Sequence, residues 1–275
     1  MIARRTVLGA GGLVVAQSLV GRVRASAPGQ LLFDGRSLAG WRYHEGGRPR
    51  EVPRHIVTRA GELHVLADPL PDGAEVPFGY LATDRSFADF HLRLDYRWGP
   101  ARYAPRALAK RNSGVMYHLS PSPDPGVEHA IEFQIQESNV GDIIAINARA
   151  LEAPQPGGTP AWPEWPSWVP RTYAEPSIAG GISRQWFRGA GDFELRDRWN
   201  RLDVIAYRDQ AAHLVNGRIV AAVYGLRATS ATGMATADPL MSGRIALQIE
   251  AAQIAFRNIR IRPISHPMDL SSARD

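Results

Sequence analysis

The sequence predicts an all-β domain of the sandwich or barrel kind, and three observations carry that expectation. Eight runs alternate apolar and polar residues at a period of two: Gly61–Ala67, Phe90–Trp98, Ser113–Ser120, Ala130–Glu137, Asn200–Arg208, Ala211–Val223, Gly243–Glu250 and Gln253–Pro263. Gly, Pro, Asp and Asn punctuate the gaps between them. No twelve-residue window combines a 3.6-residue apolar period with helix caps, so a doubly wound α/β sheet is excluded. The pair Asn216–Gly217 interrupts the sixth run and signals a two-residue hairpin. The first run and the last ones lie far apart in the chain yet belong to one body, which predicts a single domain over about residues 29 to 264 with a short tail at 265–275.

Ahead of that body stands a segment of a different kind. Residues 1–25 hold Arg4, Arg5, Arg22 and Arg24 and no acid. Paired arginines precede a weakly apolar, Gly-rich run from Val7 to Val20, a pattern that resembles a twin-arginine export signal. Cleavage after Ala25 would leave Ser26 at the new N-terminus. The apolar run falls short of the roughly 20 residues needed to span a bilayer. The expected location is the periplasm or the exterior, with no membrane contact once the signal is removed.

The net charge of the full chain is +5. The four signal arginines account for most of it, so the body is nearly neutral and nucleic acid is not an expected partner. With no cysteine, disulfides and thiolate metal sites are excluded. Lys110 is the single lysine, and the arginine bias reads as genome composition rather than a binding patch.

Residues 153–176 break the alternation. "PAWPEWPSWVPRTY" spaces Trp162, Trp165 and Trp168 three apart among prolines, which bar a helix or a central strand. A long loop follows. It serves either as an aromatic rim over a sugar cleft, with Trp165 as the candidate contact, or as a strap held down by burying its own indoles.

Candidate site residues come from the polar side of each alternating run. In Ile131–Glu137, Ile131, Phe133 and Ile135 point one way, while Glu132, Gln134 and Gln136 point the other. The same logic places Asp95 and Arg97, Asn112, and Gln248 and Glu250 on outward faces. If these strands are neighbours, the faces join into one surface rich in carboxylates and carboxamides, groups that bind sugar hydroxyls as acceptors or donors. An ordinary solvated sheet face is the plainer alternative.

Six blocks in order carry a resemblance: "LLFDGRSLAGW", "GYLATDRSFADFHLRLDYRW", "RNSGVMYHL", "EFQIQESNVGD", "WNRLDVIAY…HLVNGRIV" and "GRIALQIEAAQIAFRNIRIRPI". Together they resemble the 3-keto-disaccharide hydrolase family across nearly the whole mature chain. The resemblance implies a concanavalin A-like jelly-roll sandwich and cleavage of glycosides oxidised to a ketone at the third sugar carbon. Within the family this runs as hydrolysis or as elimination followed by hydration, and some members use a divalent metal ion. Many relatives carry His where this chain has Glu250.

A glycosidase acting on an unoxidised sugar needs two carboxyl groups across the scissile bond, and the strand at Glu132 supplies one. A 3-keto sugar needs less: one base to take the acidified proton, and an electrophile to hold the enolate. Glu132 or Glu250 is the expected base. His213 is the candidate acid or metal ligand, or else a hairpin histidine. Asn112, Gln134, Gln136, Gln248, Asp95, Arg97 and Trp165 are the expected substrate contacts. No His-x-His or His-Glu-x-x-His spacing occurs, so a metal rests on the resemblance alone. A non-catalytic lectin-like module is the rival class, and the expected partner in either case is a glycoside or oligosaccharide.

Overall fold

The computed structural model describes residues 29–71, 73–120, 128–153, 173–230 and 234–266. Among them there is no helix, and the strands form two antiparallel sheets of ten and nine. The first sheet runs β11 (Ala148–Glu152), β16 (Arg218–Thr229), β15 (Gln210–Val215), β14 (Asn200–Tyr207), β7 (Phe90–Arg102), β19 (Ala252–Pro263), β5 (Glu62–Val65) and β4 (Ile56–Arg59). Two short strands extend it: β1 (Gln30–Leu31) on β19, and β17 (Ala235–Pro239) on β16. The second sheet runs β12 (Ser177–Ala179), β13 (Ile182–Phe187), β10 (Ile143–Ile146), β9 (Ala130–Gln136), β8 (Asn112–Leu119), β18 (Ser242–Ile249), β6 (Gly79–Ala88), β2 (Trp41–Glu45) and β3 (Arg48–Arg50). This is a jelly-roll sandwich, the expected fold class.

Each of the eight alternating runs forms a strand or a hairpin. Asn216 and Gly217, with φ of 49° and 80°, turn β15 into β16, as a two-residue turn with both central residues left-handed requires. The alternation also sorts the faces. Phe90, Leu92, Leu94 and Tyr96 of β7 meet Val115, Tyr117, Ile131, Phe133, Ile135, Ile245 and Leu247 of the second sheet in one core. Burying a side chain such as Phe133 contributes about 2 kcal/mol, so a register slip that turned β9 over would cost several times that. Chain ends meet here too: β19 lies between β7 and β5, which closes the body across most of the sequence.

The topology corrects one expectation. The strand that carries Asp95 and Arg97, β7, belongs to the first sheet, whereas β8, β9 and β18 are consecutive in the second. The outer faces of the two sheets look in opposite directions, so Asp95 and Arg97 cannot share a surface with Glu132. Asp95 accepts from Arg257 Nε at 3.3 Å and Asn258 Nδ2 at 2.7 Å, and the Arg97 guanidinium lies over Trp199 at 4.8 Å. Both are bound into the back of the first sheet.

Candidate active site

Three adjacent strands build the site. Register sets Met116 beside Glu132, Gly114 beside Gln134 and Asn112 beside Gln136 across β8 and β9, while Leu247 pairs with Val115 across β18 and β8. The outward side chains of Glu132, Gln134, Gln136, Asn112, Gln248 and Glu250 therefore gather on one face in the middle of the second sheet. Ser113 Oγ donates to the Gln248 backbone oxygen at 2.8 Å and pins β8 to β18.

Gly114 is the floor of this group. A Cβ at that position would stand 2.5 Å from Gln248 Oε1 and 2.7 Å from Glu132 Oε1. The missing side chain lets those two polar groups fold inward over the backbone. A glycine inside a strand pattern is the sequence signal of such a close approach.

The face is not the wet surface that alternation suggests. Glu132 is 5% exposed, Gln134 3% and Asn112 6%. Burial, with the Glu250 charge adding to it, pushes the Glu132 carboxyl up from the usual 4.5 to about 8; a hydrogen bond from Gln248 and the Arg184 charge oppose the rise. The carboxamide oxygens Gln134 Oε1 and Gln248 Oε1 are buried without a protein partner. Unmatched polar atoms in a buried cluster are costly unless a ligand meets them.

Glu250 is held differently. Asn112 Nδ2 donates to Glu250 Oε2, Arg106 Nη1 lies 3.7 Å from the same oxygen, and Gln136 Nε2 donates to Asn112 Oδ1 at 3.3 Å. Arg106 comes from a Pro-containing loop with no periodicity, so sequence reasoning had no means of placing it. Glu137 points to the other side, as alternation requires, and is closed off by Arg111, with Nε at 2.8 Å and Nη2 at 2.6 Å from Oε1.

His213 is not in this group. It is fully buried between the sheets, stacked on Phe133 with ring centroids 4.2 Å apart. Its Nδ1 donates to the Gly141 carbonyl at 3.0 Å, and Nε2 accepts from Tyr117 Oη at 3.0 Å. Burial lowers its pKa to about 3, so it remains neutral and serves the core. Both faces of β15 are apolar, with Ala212 and Leu214 on one side and Ala211 and Val215 on the other, so alternation could not say which way His213 points. His118 is likewise sealed in, and His129 Nδ1 bonds the Asn147 carbonyl at 2.5 Å. Trp165 and residues 154–172 of its loop lie outside the described residues.

Two flanks border the cluster. Toward β6 and β2, Gln248 pairs with Tyr80 and Tyr80 with His44, whose rings stack at 4.9 Å. Tyr80 Oη donates to Glu128 at 2.5 Å, Arg244 lies 3.3 Å from Glu128, and a polar hollow of about 450 Å³ opens beside them. Toward β13, Trp186 is 40% exposed in the row of Ile144 and Glu132, its Nε1 fixed to Asp142 at 2.6 Å. Neither flank was anticipated from the sequence. A divalent ion fits poorly: among the described residues no three of His, Asp or Glu converge, and Glu250 is already engaged by Asn112 and Arg106.

The sandwich sets a buried carboxyl among carboxamides on one sheet face. Residues 29–262 match the 3-keto-alpha-glucoside-1,2-lyase-like domain, and the chain belongs to that family. The fold is similar to solved structures at low identity. A proposed glycosyl hydrolase of Parabacteroides distasonis matches at 14% identity and TM-score 0.49, covering 86% of this chain and 94% of that one. Bacillus licheniformis β-glucanase matches at 8% and 0.46, covering 87% and 100%, and the Bacillus subtilis carbohydrate-binding module CBM66 at 11% and 0.43, covering 81% and 95%. No curated protein matches the chain.

Proposed function

We propose that the protein is an exported enzyme that cleaves 3-keto glycosides by proton abstraction beside the ketone. The observation that carries this reading is Glu132: a buried carboxyl, raised to about 8, with no cation bonded to it among the described residues and two unpartnered carboxamide oxygens beside it. A base with a pKa near the working pH combines adequate ionisation with strong basicity. Glu250 is already engaged by Arg106 and Asn112.

In the proposed sequence Glu132 takes the proton from the carbon between the ketone and the anomeric centre. The electron pair moves into the carbon–carbon bond, and N–H groups of Gln134 and Gln248 hold the enolate oxygen. The anomeric C–O bond then breaks, leaving a conjugated enone, and the leaving oxygen departs beside Arg106. Water adds to the anomeric carbon and a proton returns to its neighbour. Family membership supports the keto-sugar substrate, and the twin-arginine pattern at residues 1–25 supports export.

The test follows products of a 3-keto glucoside by NMR in deuterated water, with and without chelator, using wild type and Glu132→Gln. Turnover lost in the variant, with deuterium gained beside the ketone above a no-enzyme control, is the expected result. The pair Glu132 and Glu250 also favours a second reading, an acid–base glycosidase for unoxidised sugars. Equal cleavage of oxidised and unoxidised glucosides would establish that reading and remove the first.

A further inference from the structure

Beside Glu250 the same face ends in an apolar hollow. The last register pair of β18 and β6 is Ile249 with Gly79. The next residues outward are Glu250, which Asn112 of the cluster bonds, and Phe78. Phe78 is 46% exposed. It lines a cavity of about 420 Å³ with Val76, Pro77 and Pro105, and among the described residues Glu75 is the single charged side chain there.

The backbone ties this hollow to the site. Val76 N–H donates to the Ala104 carbonyl at 2.9 Å, and Tyr103 N–H donates to the Ala251 carbonyl at 2.8 Å. Residues 103–105 are thus bonded on one side to the segment before Phe78 and on the other to the residue after Glu250. The next residue, Arg106, reaches Glu250. One short segment supplies Pro105 to the apolar wall and Arg106 to the cluster, and Leu108 on the same loop is wholly exposed.

Polarity divides the face. The carboxamides and the hollow by His44 and Arg244 suit a hydroxylated ring. A second pyranose against Val76, Pro77, Phe78 and Pro105 would meet few polar partners for its hydroxyls, whereas a planar aromatic ring matches the apolar lining and can stack on Phe78. We infer that this hollow is the leaving-group subsite and that it takes a planar aromatic aglycone joined through oxygen to the keto sugar, with Phe78 as its contact. The inference rests on the proposed keto-glycoside reading and names its substrate class. A phenolate also leaves without needing a proton, which suits an end of the site where the nearest cation is a guanidinium.

The experiment compares 3-keto glucosides of phenol, methanol and glucose with wild type, Phe78→Ala and Phe78→Leu, and measures competitive inhibition and binding of free 2-naphthol. In Phe78→Ala, kcat/KM for the phenyl substrate should fall about tenfold more than for the methyl one, mainly through KM, with Phe78→Leu intermediate. 2-Naphthol should bind wild type and lose about tenfold in affinity in Phe78→Ala. Equal losses on all three substrates, or unchanged naphthol affinity, would overturn the subsite. No turnover of any of the three would sink the keto-glycoside reading, while the naphthol arm would still decide the subsite.

Discussion

Replacing Glu132 by Gln should stabilise the fold by an amount that grows with pH. Glu132 is 5% exposed and its carboxyl is raised to about 8, so the folded state holds the proton that the unfolded chain releases near 4.5. A carboxyl raised on folding favours the native state below the unfolded value, and that advantage is lost as pH rises through the folded one. Between about pH 5 and 8 the loss is about 1.4 kcal/mol per pH unit, the slope of one proton. The full span corresponds to about 5 kcal/mol. Gln keeps the shape and cannot ionise, so Glu132→Gln escapes this dependence. For a domain of this size about 1 kcal/mol moves Tm by about 2–4 °C. Thermal melts of both proteins from pH 5 to 9 should therefore show a Tm gap that widens by roughly 10 °C and levels off above pH 8. A gap that is flat across this range would refute the claim that Glu132 is held protonated by burial, and with it the reason for choosing it as the base.

The remaining predictions address neighbouring parts of the same structure. For wild type, kcat/KM on a 3-keto glucoside should climb through pH 7, where about one-tenth of Glu132 is ionised, and flatten above about pH 8; a profile falling over that range would assign Glu132 the role of acid. Gly114→Ala, whose methyl would strike Glu132 and Gln248, should fold yet lose about 100-fold in kcat/KM, as misplacement of catalytic groups by about 1 Å does; circular dichroism and kinetics together test it. His213→Leu leaves Tyr117 Oη and the Gly141 carbonyl unpaired and should cost about 2–3 kcal/mol of stability by urea denaturation, while kcat of the folded protein stays within twofold; a collapse of kcat alone would return His213 to the chemistry. N-terminal sequencing of exported protein should begin at Ser26, and retention of Arg4 and Arg5 in the mature form would contradict the signal.

The sidedness of the strands is legible in the residue order alone. A period of two fixes that Glu132, Gln134 and Gln136 leave β9 on the side opposite Ile131, Phe133 and Ile135, because consecutive Cβ atoms of an extended chain point in opposite directions. The same local rule, with Asn216–Gly217 and the absence of any helical period, determined an all-β body, and six ordered blocks pointed to the family. Which strands lie side by side is not local information. Tertiary structure alone put β8 between β9 and β18, bringing Asn112 and Gln248 to Glu132, and put β7 in the other sheet, taking Asp95 and Arg97 away. It also turned His213 inward, since a strand apolar on both sides carries no signal of direction, and delivered Arg106 and Phe78 from irregular segments. The charge state of Glu132 belongs to the same category: a carboxyl titrates according to the solvent it has lost and the charges near it, and these are set by neighbouring strands and by Arg184, Gln248 and Glu250, the last two more than a hundred residues away.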